Sequence, residues 1–169
     1  DSTTRLLNVA ENLTYLVTGP DTYNAVLRLH REGYHSQRAI ECELAWLDAL
    51  QREDVIQVPG SFTGLAGAAV QWANSGALPE GRYFVLFEFI QGHAPNETAD
   101  LASGFEELGA IAARCHEHVQ HWQKPAGFER LTWDADAVVG ITPTWGNWRD
   151  APEVDETVRP VLERLETVL

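Results

Sequence analysis

The sequence predicts an α+β protein: an antiparallel sheet of five strands, interrupted by one helix after the third, followed by helices. Three observations lead there. Short apolar runs with period-two alternation occur before residue 31 and again between residues 68 and 90. A serine-capped stretch of helical periodicity separates them, and helical periodicity returns beyond residue 100.

The first strands are expected at Leu6–Val9, Leu13–Thr18 and Asn24–His30, the last two joined by the Gly-Pro-Asp turn at Gly19–Asp21. After Gly33, Ser36 caps a helix running to about Arg52, with Ile40, Leu44, Leu47 and Leu50 at helical spacing and Val58-Pro59 closing the unit. Two further strands are expected at Ala68–Ala73 and Tyr83–Ile90, separated by the turn-rich stretch Asn74–Gly81 and followed by Gly92. From about Asn96, the residues Leu101, Phe105, Leu108, Ala112, Cys115, Val119 and Trp122 mark one stripe of a long helix. A loop rich in Trp, Asp, Pro and Gly follows, and Val154–Leu169 is helical. No internal repeat or low-complexity tract is present.

Composition limits the function. The chain has 169 residues, one domain or a piece of one, and carries 12 Lys+Arg against 25 Asp+Glu, a net charge of −13. Such a balance argues against nucleic-acid partners and anionic membrane surfaces, which need clustered cations. The longest apolar stretch, Tyr83 to Ile90, is too short to span a bilayer, and no signal peptide is visible, so a cytoplasmic location is expected. Cys42 and Cys115 have neither metal nor redox spacing and are expected as reduced core thiols. The chain has no Met, even at position 1, which points to a start inside a longer reading frame or to residues missing from it.

One residue breaks the pattern of the first helix. At about 100° per residue, Glu43 falls inside the apolar arc of Ile40, Leu44, Leu47, Leu50 and Trp46, whereas Glu41 falls outside it. A carboxylate on a core-facing stripe is costly unless a cation meets it. Strand alternation places Arg28 on one face of the preceding strand with Val26 and His30, and so offers that cation. The pair has two readings, a structural ion pair at the edge of the core or part of a site.

The order of strands, cation, helix with Glu, strands and helices resembles the N-terminal lobe of a kinase. The stretches Glu11-Asn12-Leu13-Thr14-Tyr15-Leu16-Val17, Val26-Leu27-Arg28-Leu29-His30-Arg31, Ile40 to Leu50 with Glu43, and Val85-Leu86-Phe87-Glu88-Phe89-Ile90-Gln91-Gly92 carry the likeness, together with Ala113-Arg114-Cys115-His116. They cover roughly Leu6 to His121 and resemble the aminoglycoside phosphotransferase and choline-kinase-like superfamily of small-molecule kinases. The wording of His30-Arg31-Glu32-Gly33-Tyr34-His35-Ser36 is nearer to the branch with type II homoserine-kinase-like and stress-response-kinase-like members.

The resemblance implies a kinase-like N-lobe over residues 1–91, and over 92–169 the hinge and the start of a helical C-lobe, truncated before the catalytic loop. It implies that Arg28 touches the α- and β-phosphates of ATP and that Glu43 holds it there, with Arg where the family usually has Lys. Asn12 would lie in the turn over the phosphates, Phe87 would be the gatekeeper, and the Glu88 carbonyl and Ile90 N–H would meet the adenine edge. The segment Glu88–Ile90 is accordingly expected as an unpaired edge, with one of Leu86 and Phe87 facing the cleft. The implied reaction is phosphoryl transfer from ATP, with Mg²⁺, to a hydroxyl of an aminoglycoside, choline or homoserine-like acceptor.

No catalytic residue is assigned within the chain. The family's His-x-Asp-x-x-x-x-Asn loop and following Asp motif do not occur in it and are expected beyond Leu169, so the fragment alone should not catalyse. His118 and His121 lack the His-Glu-x-x-His pattern, because position 120 is Gln, and are expected on a solvated helix face without metal. Trp133-Asp134, Trp145 and Trp148-Arg149-Asp150 either line an acceptor pocket or cap a core. The alternative function is a non-catalytic nucleotide-binding or protein-interaction module with a kinase-like lobe; an acidic α+β binding domain of merely similar architecture is a third reading. Acceptor identity and oligomeric state are not encoded in any motif here.

Overall fold

The structure, a computed structural model, describes residues 2–76, 78–92, 101–144 and 146–168. Its strands are β1 (Thr3–Val9), β2 (Leu13–Thr18), β3 (Asn24–Leu29), β4 (Gln71–Ser75) and β5 (Leu78–Glu88); its helices are α1 (Gln37–Arg52), α2 (Leu101–His121), α3 (Ala135–Val139) and α4 (Arg159–Val168). By contacts, it divides into a unit over Asp1–Glu129 and a second over Arg130–Leu169.

The first unit is built on a five-stranded antiparallel sheet of order β1-β2-β3-β5-β4. This is the architecture expected for a kinase-like N-lobe followed by helices. β1 begins three residues earlier than its apolar run, because Thr3 to Arg5 pair with Leu16 to Thr18 of β2. β4 starts at Gln71 rather than Ala68, since Gly64 donates to the Ala68 carbonyl in a preceding turn. The expected Asn74–Gly81 turn is shorter, and β5 already includes Leu78 to Gly81. Gly81 makes this possible. At φ +69° it lies under Trp72, where an added Cβ would come within 2.3 Å of the indole.

Helix α1 covers one face of the sheet. Ile40 and Leu44 form the buried cluster with Val70, Val85 and Phe87, with Val26, Leu47, Ala69 and Tyr83 packed around it. Residues directly opposite across antiparallel strands share a face, so Thr14, Leu16, Val26, Arg28, Val85 and Phe87 all lie on the α1 side. The helix starts at Ser36, whose hydroxyl accepts from the Ala39 N–H at 3.0 Å, as the sequence indicates.

Helix α2 keeps the expected periodicity, although the start expected near Asn96 lies outside the described residues. Phe105 and Leu108 on its apolar stripe are 67% and 56% exposed. Only the C-terminal half, around His118, Val119 and Trp122, is partly buried.

In the second unit, the expected Trp-rich loop contains the short α3, capped by Asp134, whose carboxylate accepts from the Ala137 N–H at 2.9 Å. Five residues are too few for periodicity to reveal a helix. Arg149 organises this unit: it lies over the Trp148 ring, donates to the Gly140 carbonyl at 3.2 Å and pairs with Glu166 of α4. Trp148 donates its indole N–H to the Val139 carbonyl at 3.3 Å, so this tryptophan serves the packing of its own unit. Trp145 lies outside the described residues.

Candidate functional site

Arg28 and Glu43 meet. Mid-strand on the α1 side, Arg28 extends its guanidinium to the second turn of α1, where Nη1 donates to Glu43 Oε1 at 2.6 Å. The two side chains retain 33% and 20% of their exposure, so the pair sits at a boundary between core and solvent rather than deep inside. Arg28 Cζ also lies 4.9 Å from the centroid of the Phe87 ring, and Phe87 itself is 3% exposed within the α1 cluster. A guanidinium carries five N–H donors, so the bond through Nη1 leaves it further capacity for an anion. Half-buried Leu16 and Val26 continue the same face as an apolar strip beside the cation.

The position of Glu43 depends on how α1 is anchored. Besides its Ser36 cap, Arg38 donates to the Ala126 and Gly127 carbonyls, Ser36 donates to Glu129 Oε1 at 2.6 Å, and buried Cys42 accepts from the Glu129 N–H at 3.4 Å. These contacts join α1 to the segment after α2. Cys115 is half-buried, and both cysteines are free thiols.

Asn12 occupies the turn between β1 and β2. Its Oδ1 accepts from the Arg31 N–H at 3.3 Å, while Glu11 pairs with the Arg31 guanidinium at 3.0 Å. The turn is thus tied to the end of β3, and its side-chain amide nitrogen is the part of Asn12 not engaged by this bond.

At the end of β5 the structure corrects the expectation of an open edge at the Glu88 N–H. Glu88 donates its N–H to the Gly60 carbonyl at 2.9 Å, Phe62 donates to the Leu86 carbonyl at 2.8 Å, and Ser61 bridges Phe87. The Glu88 carboxylate returns to the Gly60 N–H at 3.1 Å. Gly60 is required here, because a Cβ would lie 2.9 Å from Glu88 Oε2. The pairing arises because Val58-Pro59, read as a terminator, is followed by an extended segment that runs alongside β5. Beyond Glu88, Phe89, Ile90 and Gln91 leave the sheet and line an open concavity with Tyr23, Asn24 and Gln57. Leu86 points to the face opposite Phe87.

A second correction concerns His118, whose side chain is 5% exposed rather than solvated. Its Nδ1 accepts from the Trp46 indole at 3.1 Å, and Nε2 lies 3.2 Å from Glu53 Oε2. Its helical position is only about 40° from Trp122, and near the end of α2 it is this flank that packs on α1. His121 stays on the exposed side. Among the described residues, no group of three or more His, Cys, Asp or Glu side chains could hold a metal ion. Nor is any described helix long and apolar enough to cross a membrane.

Neither the Gly60 to Phe62 pairing nor the Trp46–His118 bond is legible in the sequence. The only signal for the latter was that Trp46 shares the apolar arc of α1, which leaves an indole N–H in need of an acceptor.

Comparison with known proteins bears on the family and the fold. A search of curated proteins finds no match. Among solved structures, the chain is similar to the microcompartment-associated aminopropanol kinase, at 38% identity and a TM-score of 0.83 over 97% of this chain and 50% of that one. It is similar in fold to the amicoumacin kinase hAmiN, solved in complex with AMP-PNP, Ca2+ and Ami, at 23% identity and a TM-score of 0.64 over 77% of this chain and 39% of that one. The chain therefore spans about half the length of the aminopropanol kinase, and less of the other. The family model described as the phosphotransferase enzyme family matches residues 2–168, and the chain belongs to that family.

Proposed function

We propose that this chain is the N-terminal part of an ATP-dependent phosphotransferase that phosphorylates a hydroxyl group of a small molecule. Residues 1–91 form the nucleotide-facing lobe, and residues 92–169 the hinge and the start of the helical lobe. The Arg28–Glu43 pair carries this reading, because it fixes a cation on the α1 side of the sheet, at the boundary between core and solvent, beside an apolar strip. That combination suits a nucleoside triphosphate, which presents an anionic chain next to an aromatic base.

ATP supplies the phosphoryl group when bound. The residues of this chain bind and orient it: Arg28 neutralises the α- and β-phosphates, Glu43 keeps the guanidinium from swinging into solvent, and Asn12 lies in the turn over the phosphates. Phe87 bounds the site from the α1 side, and the Glu88 carbonyl with the Ile90 N–H receives the adenine edge. Mg²⁺ and the acceptor-orienting Asp belong to parts of the complete enzyme outside this chain, which carries no His-x-Asp-x-x-x-x-Asn sequence. Chain 1–169 alone is inactive on this account.

For the acceptor, the 38% identity to an aminopropanol kinase favours a small amino alcohol over an aminoglycoside, choline or homoserine-like molecule. The net charge of −13 suits a cationic acceptor. A cytoplasmic site of action is part of the proposal, with neither nucleic acid nor membrane as partner. The test is ADP release by the complete protein with ATP, Mg²⁺ and a panel of amino alcohols, aminoglycosides, choline and homoserine. Turnover that requires an acceptor hydroxyl supports the reading. Nucleotide binding without turnover on any acceptor supports instead a non-catalytic nucleotide-binding module.

A further inference from the structure

We infer that Phe87 is a positioning residue for Arg28: its ring is the platform that sets the plane of the guanidinium, so that an arginine can hold phosphate at this site. The inference rests on the nucleotide-binding reading above.

Phe87 and Arg28 sit on neighbouring strands on one face, since Val26 pairs with Phe87 and Val85 with Arg28. Arg28 Cζ lies 4.9 Å from the ring centroid, within the range of a cation–π contact. The ring cannot move away, because Phe87 is 3% exposed and enclosed by Ile40, Leu44, Val70 and Val85. Glu43 holds the same guanidinium at 2.6 Å through Nη1. Two constraints therefore act on one planar group. An ion pair at a single nitrogen fixes one atom but leaves the fork free to rotate about it, and the ring removes that freedom.

This matters for an arginine and little for a lysine. An ammonium is a point charge with three equivalent donors and no plane to fix, whereas the guanidinium offers its donors in a rigid fork that is useful only when oriented. A phenylalanine at this position thus does more than fill the core.

The test is ATP binding by calorimetry to the complete protein and to Phe87→Leu, Phe87→Trp, Arg28→Lys and the double variant Phe87→Leu/Arg28→Lys, with thermal melting of each. The expected result is a loss of about five-fold in affinity for Phe87→Leu, little loss for Phe87→Trp, and less than about two-fold further loss when Phe87→Leu is added to Arg28→Lys. A purely structural role for the ring would lower affinity equally in both backgrounds, and that outcome, or unchanged affinity in Phe87→Leu, overturns the inference. If the complete wild-type protein binds no ATP, the proposed function fails and this inference with it. ATP binding by the wild type with an indifferent Phe87→Leu overturns the positioning role alone.

Discussion

Trp46 in α1 donates its indole N–H to Nδ1 of His118 in α2 across 3.1 Å. The indole is a donor only, so Nδ1 must be the unprotonated nitrogen, and the ring proton sits on Nε2 facing Glu53. Around this contact lie Arg52, paired with Glu53 at 3.3 Å, and Glu117 and His121 on α2.

Replacing His118 by Ala leaves the Trp46 N–H without its acceptor and opens a gap beside Trp122. A loss of about 1–3 kcal/mol in unfolding free energy is expected, measured by denaturant titration of the complete protein. His121→Ala, on the exposed side of the same helix, is expected to change it by less than about 0.5 kcal/mol.

Ser36 caps α1 and also reaches Glu129 at 2.6 Å. Ser36→Ala is expected to cost about 1–2 kcal/mol, and Ser36→Thr, which keeps the hydroxyl, clearly less. Equal stability of the Ala variant would show that the cap does not hold the helix that presents Glu43.

The sequence made this helix legible down to its cap, because Ser36, the apolar spacing and the misplaced Glu43 are all local signals. Arg28 as its partner followed from strand alternation. Periodicity does not say which flank of α2 meets α1, so by itself it places His118 on the solvent side. Nor does it reveal that the residues after Pro59 run beside β5, because that pairing joins Ser61 to Phe87, far apart in the chain, with no alternation on one side. Contacts at long separation were legible only where chemistry demanded a partner, as it did for Glu43.

The two thiols should differ in reactivity. Cys42 is buried under the Glu129 backbone, whereas Cys115 is half-buried on α2. Mass spectrometry after timed alkylation of the native protein is expected to show Cys115 modified first, and both modified quickly in denaturant. Earlier modification of Cys42 would contradict the packing of α1.

Asp155 precedes α4 and accepts from the Val158 and Thr157 N–H groups at 3.0 and 2.8 Å. The bond from Val158, and then that from Thr157, hold its carboxyl below the usual carboxylate value of 3.8. A depressed folded value means that the stabilisation is present above the unfolded value and is lost as pH falls through the folded one. Carbon NMR titration is expected to place the Asp155 carboxyl below the usual carboxylate value, and Asp155→Asn is expected to weaken the start of α4 at neutral pH.

The central claim is that Arg28, held by Glu43, is the phosphate-binding cation of a nucleotide site. Calorimetric titration of the complete protein with ATP and with adenosine tests it directly, using wild type, Arg28→Ala and Glu43→Gln. The account predicts that Arg28→Ala loses at least about ten-fold in ATP affinity and Glu43→Gln a smaller part of that, while adenosine binds all three alike. ATP binding by Arg28→Ala that matches wild type, with the fold intact by circular dichroism, would contradict it.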